Sequence, residues 1–378
     1  MFFKKLKNKI SSCYKNFFGW RTGRKIIVIE SDDWGGIRTP SLRVLKELSK
    51  MDIEIERDHY LTYDSLASEE DLDALFSVLR SKKNRKGETP IITANVIMGN
   101  PDFKKIKSNE FQLYDYELFT DTLKRYPEHS KSFDLWKNGI RESLFHPQFH
   151  GREHLQVFRW LKNLNVKNSE TRRVFDLELF GISTNVTKED RKSYMAAYEW
   201  DDESQKKFII NAITDGLEQF KKIFGFKSLS TIAPNYVWHQ ELENVFYKGG
   251  VRYIQGASVQ KIPRIDKDVS TYKRHFTGET NDLGQVYLIR NCRFEPSSNN
   301  DKDWVSSCLA EINLAFRMKK PAIIDTHRVN YIGYINPKNR YRGLRALNEL
   351  LGKIISKWPD VEFMTSDQLG RLIENDIN

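Results

Sequence analysis

The sequence predicts an α/β fold of the barrel kind, on three observations. Strand-like and helix-like runs alternate along the chain about seven times. Evenly spaced short strands joined by turns, the mark of an all-β chain, are absent. The residues with chemistry to offer fall just after strands, where a right-handed series of βα units places its active site. With 378 residues, 39% of them hydrophobic and 12% aromatic, the chain has ample material for a large core. No internal repeat or low-complexity tract interrupts it.

The elements follow in order. "KIIVIE" (25–30) reads as a buried strand that stops at "SDDWGG". Thr39 and Pro40 supply an N-cap and a first-turn proline for the helix "PSLRVLKELSK". Ser68 caps "EEDLDALFSVLRSKK", and "PIITANVIM" (90–98) is the next strand. Helices are expected at about 115–126 and 132–144, then the histidine-rich "SLFHPQFHGREHL" running into the amphipathic "REHLQVFRWLKNL". A long helix over about 201–224 closes at Gly225, a C′ glycine. Strand "STIAPNYVW", helix "QELENVFYKGG" and strand "VRYIQG" follow. Residues 257–300 read as an insertion with β character around the strand "QVYLIRNCRF". Helix "DWVSSCLAEINLAFRMKK", strand "PAIIDTH", a helix over 340–357, strand "VEFM" and helix "TSDQLGRLIE" complete the chain. The expected organisation is an extension over 1–24 and one barrel domain over 25–378, with insertions at about 165–228 and 257–300.

The net charge of +10 is local. Residues 1–25 carry eight Lys/Arg and no acid, which leaves 53 basic against 51 acidic residues in the body. A nucleic-acid binder spreads its positive charge over a folded face, so no nucleic-acid partner is expected. Within residues 1–20, Phe2, Phe3, Leu6, Ile10, Phe17 and Phe18 recur at roughly helical spacing with lysines between them. That pattern fits a basic amphipathic helix on an anionic membrane surface, or equally a helix packed on the body. No apolar run is long enough for a signal-peptide core or a membrane span. Cys13, Cys292 and Cys308 form no CxxC pair and no disulfide framework. The expected address is cytoplasmic, in contact with the inner face of the membrane if the basic segment binds there.

Three groups of residues carry chemistry. Asp32 and Asp33 are adjacent carboxylates at a strand end, and their repulsion is relieved by a cation or by a proton. A metal bound by one, with the other free as a base, satisfies both; a solvated loop with an N-capping aspartate is the plainer alternative. Three of the eight histidines, His146, His150 and His154, fall within nine residues. His150 and His154 at the head of a predicted helix would share one face. Two such imidazoles and a carboxylate make a first-row divalent site, zinc by preference, with cobalt, nickel or manganese also accommodated. Pro147 argues against one helix through His146, which is left as a neighbour of the site or a spare ligand. His327, after the strand "PAII", is placed on the same rim as a general acid or as a hydrogen-bonded rim residue. Trp34, Trp238 and Trp304 are available to stack on a bound ring or to pack in the core.

In this order the pieces resemble the polysaccharide deacetylases (NodB-homology, carbohydrate esterase family 4). Ser31-Asp32-Asp33, with Trp34 before Gly35, looks like the family's T/S-x-D-D-G; His150-Gly-Arg-Glu-His154 matches its H-x-x-x-H. Ile324-Asp325-Thr326-His327 is similar to its late L-x-H with one residue more, or more loosely Asp325-x-His327. Pro234 and Tyr236 stand where the family has R-x-P-Y, but the arginine is missing; Arg290 or Arg328 stands in for it, or the tuning differs. Asn300-Asp301-Lys302-Asp303-Trp304 approximates D-x-x-D-W. The resemblance implies a distorted (β/α)7-type barrel with helical and β insertions, covering about residues 25–375. It implies Asp32 as base, Asp33, His150 and His154 as ligands of one divalent ion, and His327 as acid. A backbone N–H near Asn235 or Tyr236 would bind the oxyanion, and the substrate would be an acetylated sugar. Rival readings are a metal-dependent glycoside hydrolase on a related barrel and an H-x-x-E-H (inverzincin) peptidase with Glu153 as base. A non-catalytic, membrane-associated glycan-binding protein is the reading from a different class.

Overall fold

A computed structural model describes residues 14–51, 53–263 and 271–377. The fold is α/β, built on one sheet in which every pairing between strands is parallel. Its nine strands are β1 (Ile26–Trp34), β2 (Ile92–Val96), β3 (Phe145–Phe149), β4 (Ser230–Ile232), β5 (Tyr253–Gly256), β6 (Val286–Ile289), β7 (Cys292–Arg293), β8 (Ala322–His327) and β9 (Glu362–Met364). Neighbours run β6-β5-β4-β3-β2-β1-β8-β7, with β9 against the first residues of β1. The order begins and ends on one stretch of chain, because only Arg290 and Asn291 separate β6 from β7. There the Arg290 N–H donates to Gly256 O on β5 (2.9 Å) and the Asn291 N–H to Ile323 O on β8 (3.1 Å).

Alternation along each strand divides the sheet into two environments. One face, with Ile27, Ile29, Ile92, Ala94, Val96, Phe145 and Phe149, packs under helices such as Glu69–Arg80, Ser132–Arg141, Lys206–Phe224 and Pro337–Lys357. The other is polar and hydrogen-bonded from strand to strand. Asn95 Nδ2 donates to Asp32 Oδ1 (2.7 Å) and Gln255 Oε1 (2.8 Å), Gln255 Nε2 to Ser230 Oγ (2.8 Å), and Ser230 Oγ to Gln148 Oε1 (3.0 Å). Buried amide nitrogens of this kind are tolerated because each finds an acceptor. At the strands' N-terminal end the same face becomes apolar: Ile26, Val28, Tyr253, Val286, Leu288 and Ile323 pack on Leu369 and Ile373 of the C-terminal helix Ser366–Ile377. That helix plugs the end of the sheet opposite the cavity described below.

Several expected boundaries shift for local reasons. β1 runs on through Asp32 and Asp33 to Trp34 instead of stopping at Glu30. The helix expected from Pro40 is Leu42–Ser49, capped by Ser41, because the Thr39 hydroxyl donates to Leu61 O. Ser68 forms a capping box with Asp71, and Gly225 ends its helix at φ 80°. "STIAPNYVW" yields only three strand residues, since Pro234 has no N–H and Asn235 and Tyr236 lie at φ 57° and 56°. Of the basic extension, residues 1–13 lie outside the described residues, while residues after them lie on the body, with Trp20 N–H donating to Thr277 O (2.7 Å). Among the described residues no helix is long and apolar enough to cross a membrane.

The plug allows a direct test. A Cβ on Gly370 would stand 2.3 Å from Cγ of the buried Tyr253 ring. Gly370→Ala is expected to lower the urea midpoint by an amount equivalent to about 1–3 kcal/mol, with the slope of the transition unchanged.

Candidate metal centre and active site

A cavity of about 720 Å³ opens at the C-terminal ends of the strands, and Asp32, Asp33, His150, His154, Asn235, Tyr236, Arg290 and His327 all line it. Adjacent residues of a regular strand face opposite ways, so two neighbouring aspartates in one cavity need an irregularity. It is present: the β1–β2 register shifts between Ser31 and Trp34, and Asp33 takes φ 71°. The bulge turns Asp33 into the cavity beside Asp32 and sends Trp34 the other way, into the core.

Asp33 meets the histidines. Its Oδ1 lies 3.5 Å from His150 Nε2 and 3.8 Å from His154 Nε2, and the three donor atoms fall within 4.8 Å of one another. Donors around a tetrahedral zinc at its usual bond lengths stand about 3.3 Å apart, so the set fits a first-row divalent ion. His150 Nδ1 pairs with Ile232 O (2.9 Å), which directs the Nε2 lone pair toward Asp33. Burial pushes His154 down to about 3, so its imidazole is neutral, as a ligand must be. Burial also works against ionising Asp33, but Arg38 and the His150 hydrogen bond overcome it and hold the carboxyl well below its ordinary range. His150 and His154 do not sit on a helix. They occupy the loop after β3, turned by Gly151 at φ 122°, and the helix starts only at Val157. The loop still brings the two rings within 5.0 Å.

Asp32 keeps different company. Arg290 grips it with both terminal nitrogens (2.7 and 2.6 Å), and His327 Nε2 stands 3.8 Å from its Oδ2. The β1–β8 register pairs Asp32 with His327 directly, which is why residues so far apart in sequence meet. Burial raises the Asp32 carboxyl, but Arg290's charge and hydrogen bonds outweigh it, so the group stays ionised far into acid. His327 Nδ1 pairs with Glu295 Oε1 at 2.6 Å. Burial disfavours its charged form, yet the Glu295 carboxylate pushes the imidazole up to about 10. It is an imidazolium at neutral pH.

Arg290 also donates to Glu30 (2.6 Å) and Asp325 (2.7 Å) and reaches Tyr236 Oη at 3.2 Å. Of the two arginines considered for the missing motif position, Arg290 is the one in the cavity. Arg328 is buried elsewhere, bonded to Asp64 and to Gly36 O. Three other expected neighbours of the site also stand apart from the cavity. Trp34 packs on Trp136 and Phe145 and is 1% exposed. Trp304 lies against Lys302 and Arg293 with its indole N–H on Asn299 O. His146, at the start of β3, pairs with Asp367 (3.1 Å) toward the plugged end. Trp238 is likewise internal, bonded to Glu243. Sequence reasoning missed Asn95, Glu295 and Arg38. An asparagine inside the apolar run "ITANV" was a signal; Glu295 and Arg38 lie in loops with no pattern to mark them.

No protein-family model matches the chain, and no curated protein matches it. Among solved structures, it is similar to a Pseudomonas aeruginosa PAO1 protein assigned as a polysaccharide deacetylase (9% identity, 92% of this chain and 90% of that one, TM-score 0.46). A Mycobacterium smegmatis protein with the same assignment gives 11% identity over 95% of this chain and 94% of that one, TM-score 0.41. The 4-α-glucanotransferase of Thermococcus litoralis gives 11% identity over 92% of this chain but 40% of that one, TM-score 0.42. At such values the likeness carries no activity across, and the functional reading rests on this chain's own side chains.

Removing Arg290 tests the electrostatics. Arg290→Met leaves Glu30, Asp32 and Asp325 without their shared cation and is expected to cost about 3–5 kcal/mol at neutral pH. In the wild type the depressed Asp32 contributes stability above the unfolded carboxylate value, about 4, and loses it as pH falls. The gap between wild type and variant should therefore narrow below about pH 4 in urea titrations.

Proposed function

We propose that the protein is a metal-dependent hydrolase that removes acetyl groups, N-acetyl by preference, from a sugar of a surface polysaccharide or its precursor. One observation carries this reading: two adjacent carboxylates share a cavity with different partners, Asp33 turning Oδ1 to two imidazoles with Arg38 on its Oδ2, and Asp32 gripped on both oxygens by Arg290 with the His327 imidazolium beside it. Asp33, His150 and His154 would hold the ion, zinc by preference. Bound there, a divalent ion supplies Lewis acidity that polarises the acetyl carbonyl and acidifies a water.

The chain's own residues do the rest. Asp32 accepts the water's proton on Oδ2, the oxygen facing His327, while Arg290 and Asn95 fix the carboxylate's orientation. The Tyr236 N–H is committed to Ala233 O (2.9 Å), so in this reading the oxyanion contact falls to the Asn235 N–H. His327 donates its Nε2 proton to the departing nitrogen, with Glu295 holding the charged ring from behind. The peptidase alternative loses its base: Glu153 is buried in a two-point ion pair with Arg152 (2.7 and 3.0 Å) and does not line the cavity.

Elemental analysis after identical purification should find metal in the wild type and in Asp32→Asn, and none in Asp33→Ala. Asp32→Asn should release acetate from an N-acetylated oligosaccharide about 10²–10⁴-fold more slowly. Metal retained by Asp33→Ala would refute the ligand set. A second test uses pH. In Glu295→Gln the His327 proton loses its main support, so the alkaline limb of kcat/KM should move down toward the ordinary histidine range near about 6.5. An unmoved limb would remove His327 from the acid role.

A further inference from the structure

Exposed aromatic side chains gather on the N-terminal segment. Phe17 is 58% exposed, Phe18 45% and Tyr14 38%. Ring contacts of 4.9–5.9 Å join Phe17 to Phe18, Tyr14 to Phe18, and Phe276 to both Tyr14 and Phe18. Scattered exposed apolar residues are ordinary, but a contiguous cluster marks a contact surface. The patch is basic as well as aromatic: Arg274 lies over the Tyr14 ring at 4.8 Å, and residues 1–25 carry eight Lys/Arg and no acid.

The segment is clamped to the body. The Lys320 ammonium donates to the carbonyl oxygens of Phe18, Gly19 and Trp20, Arg21 to Met318 O (2.9 Å), and Asn291 Nδ2 to Asn16 Oδ1 (2.8 Å). The clamp also fixes the patch relative to the cavity, because Lys15, between Tyr14 and Phe17 in the chain, is one of the cavity's lining residues. Arg57 and Arg293 line the same cavity.

We propose that this patch is a membrane-docking surface, with Tyr14, Phe17 and Phe18 entering the headgroup layer of an anionic bilayer and the cavity mouth held beside it. Aromatic rings with a polar rim favour that depth, and the lysines and arginines complement anionic lipid. A second copy of the chain is a poorer occupant, because it would set one basic segment with no acid of its own against another. The proposal does not depend on the deacetylase reading and is tested without activity.

Full-length wild type and Phe17→Ser/Phe18→Ser would be sedimented with phosphatidylcholine vesicles and with phosphatidylcholine–phosphatidylglycerol vesicles, at low and high salt. The wild type is expected to bind only the anionic vesicles and to be released by salt. The double variant should partition on the order of tenfold more weakly, with its thermal unfolding unchanged. Three results overturn the proposal. The wild type may show no preference for anionic vesicles; the variant may bind as tightly as the wild type, which assigns any binding to charge alone; or a vesicle-free run may show self-association that the variant abolishes.

Discussion

The interior of this barrel-like sheet depends on one guanidinium. Arg290 sits where the chain passes from β6 to β7, and its three guanidinium nitrogens make four hydrogen bonds to Glu30, Asp32 and Asp325 from two other strands. Burial drives Glu30 and Asp32 toward protonation, and Glu30 shows the tendency even with Arg290 beside it. A single arginine satisfies them because its fork offers separate donors in fixed directions, which a lysine does not. Arg38 and the His327 imidazolium add two more cations, against the further carboxylates of Asp33 and Glu295. Asp33 meets Arg38 through Oδ2 and turns Oδ1 toward the imidazoles of His150 and His154, so that oxygen is the one that faces the candidate cation position.

The division of labour between Asp32 and Asp33 follows from backbone geometry. Without the bulge, Asp33 would face the helices and Trp34 the cavity. The left-handed φ at Asp33 reverses both at once, so a carboxylate facing the two histidines and a core-filling indole arise from one irregularity. The cost of such a φ, of order 1 kcal/mol for an aspartate, is offset by what Trp34 contributes in the core. Its ring packs edge-on against Phe145 and Trp136, with its N–H on Ser31 Oγ (3.0 Å).

Much of this was legible in the sequence, and the failures have physical causes. The strands announced themselves as apolar runs, and the residues that end them, Asp32, Asp33, His150 and His327, do converge on one cavity. What the runs could not show was register. Arg290 and Arg328 both follow such runs, but one is aimed at Asp32 and the other, one residue past His327, turns outward to Asp64. His146 fell on the inner face as its alternation with Gln148 requires, yet near the strand's beginning, so it belongs to the plugged end. The histidine pair was assigned to a helix from spacing alone; a loop turned by Gly151 achieves the same proximity. Glu295, which gives His327 its proton-holding character, lies two residues beyond β7, and only the β7–β8 pairing of Arg293 with Asp325 brings it close.

That pairing ties the chemistry to the far end of the fold. Glu30 accepts from Arg290 on one oxygen and from Ser366 on the other (2.7 Å), and Ser366 is the first residue of the C-terminal helix that plugs the sheet. The Ser366 N–H in turn donates to Thr93 Oγ1 (3.0 Å) on β2. The plug is therefore joined to the cavity's electrostatics by hydrogen bonds through the bore as well as by its apolar contacts. Orientation of the Asp32 carboxylate is thus a property of several strands and of the C-terminal helix together. Substitutions at the helix start should therefore reach the Asp32 carboxylate through Glu30 and Arg290.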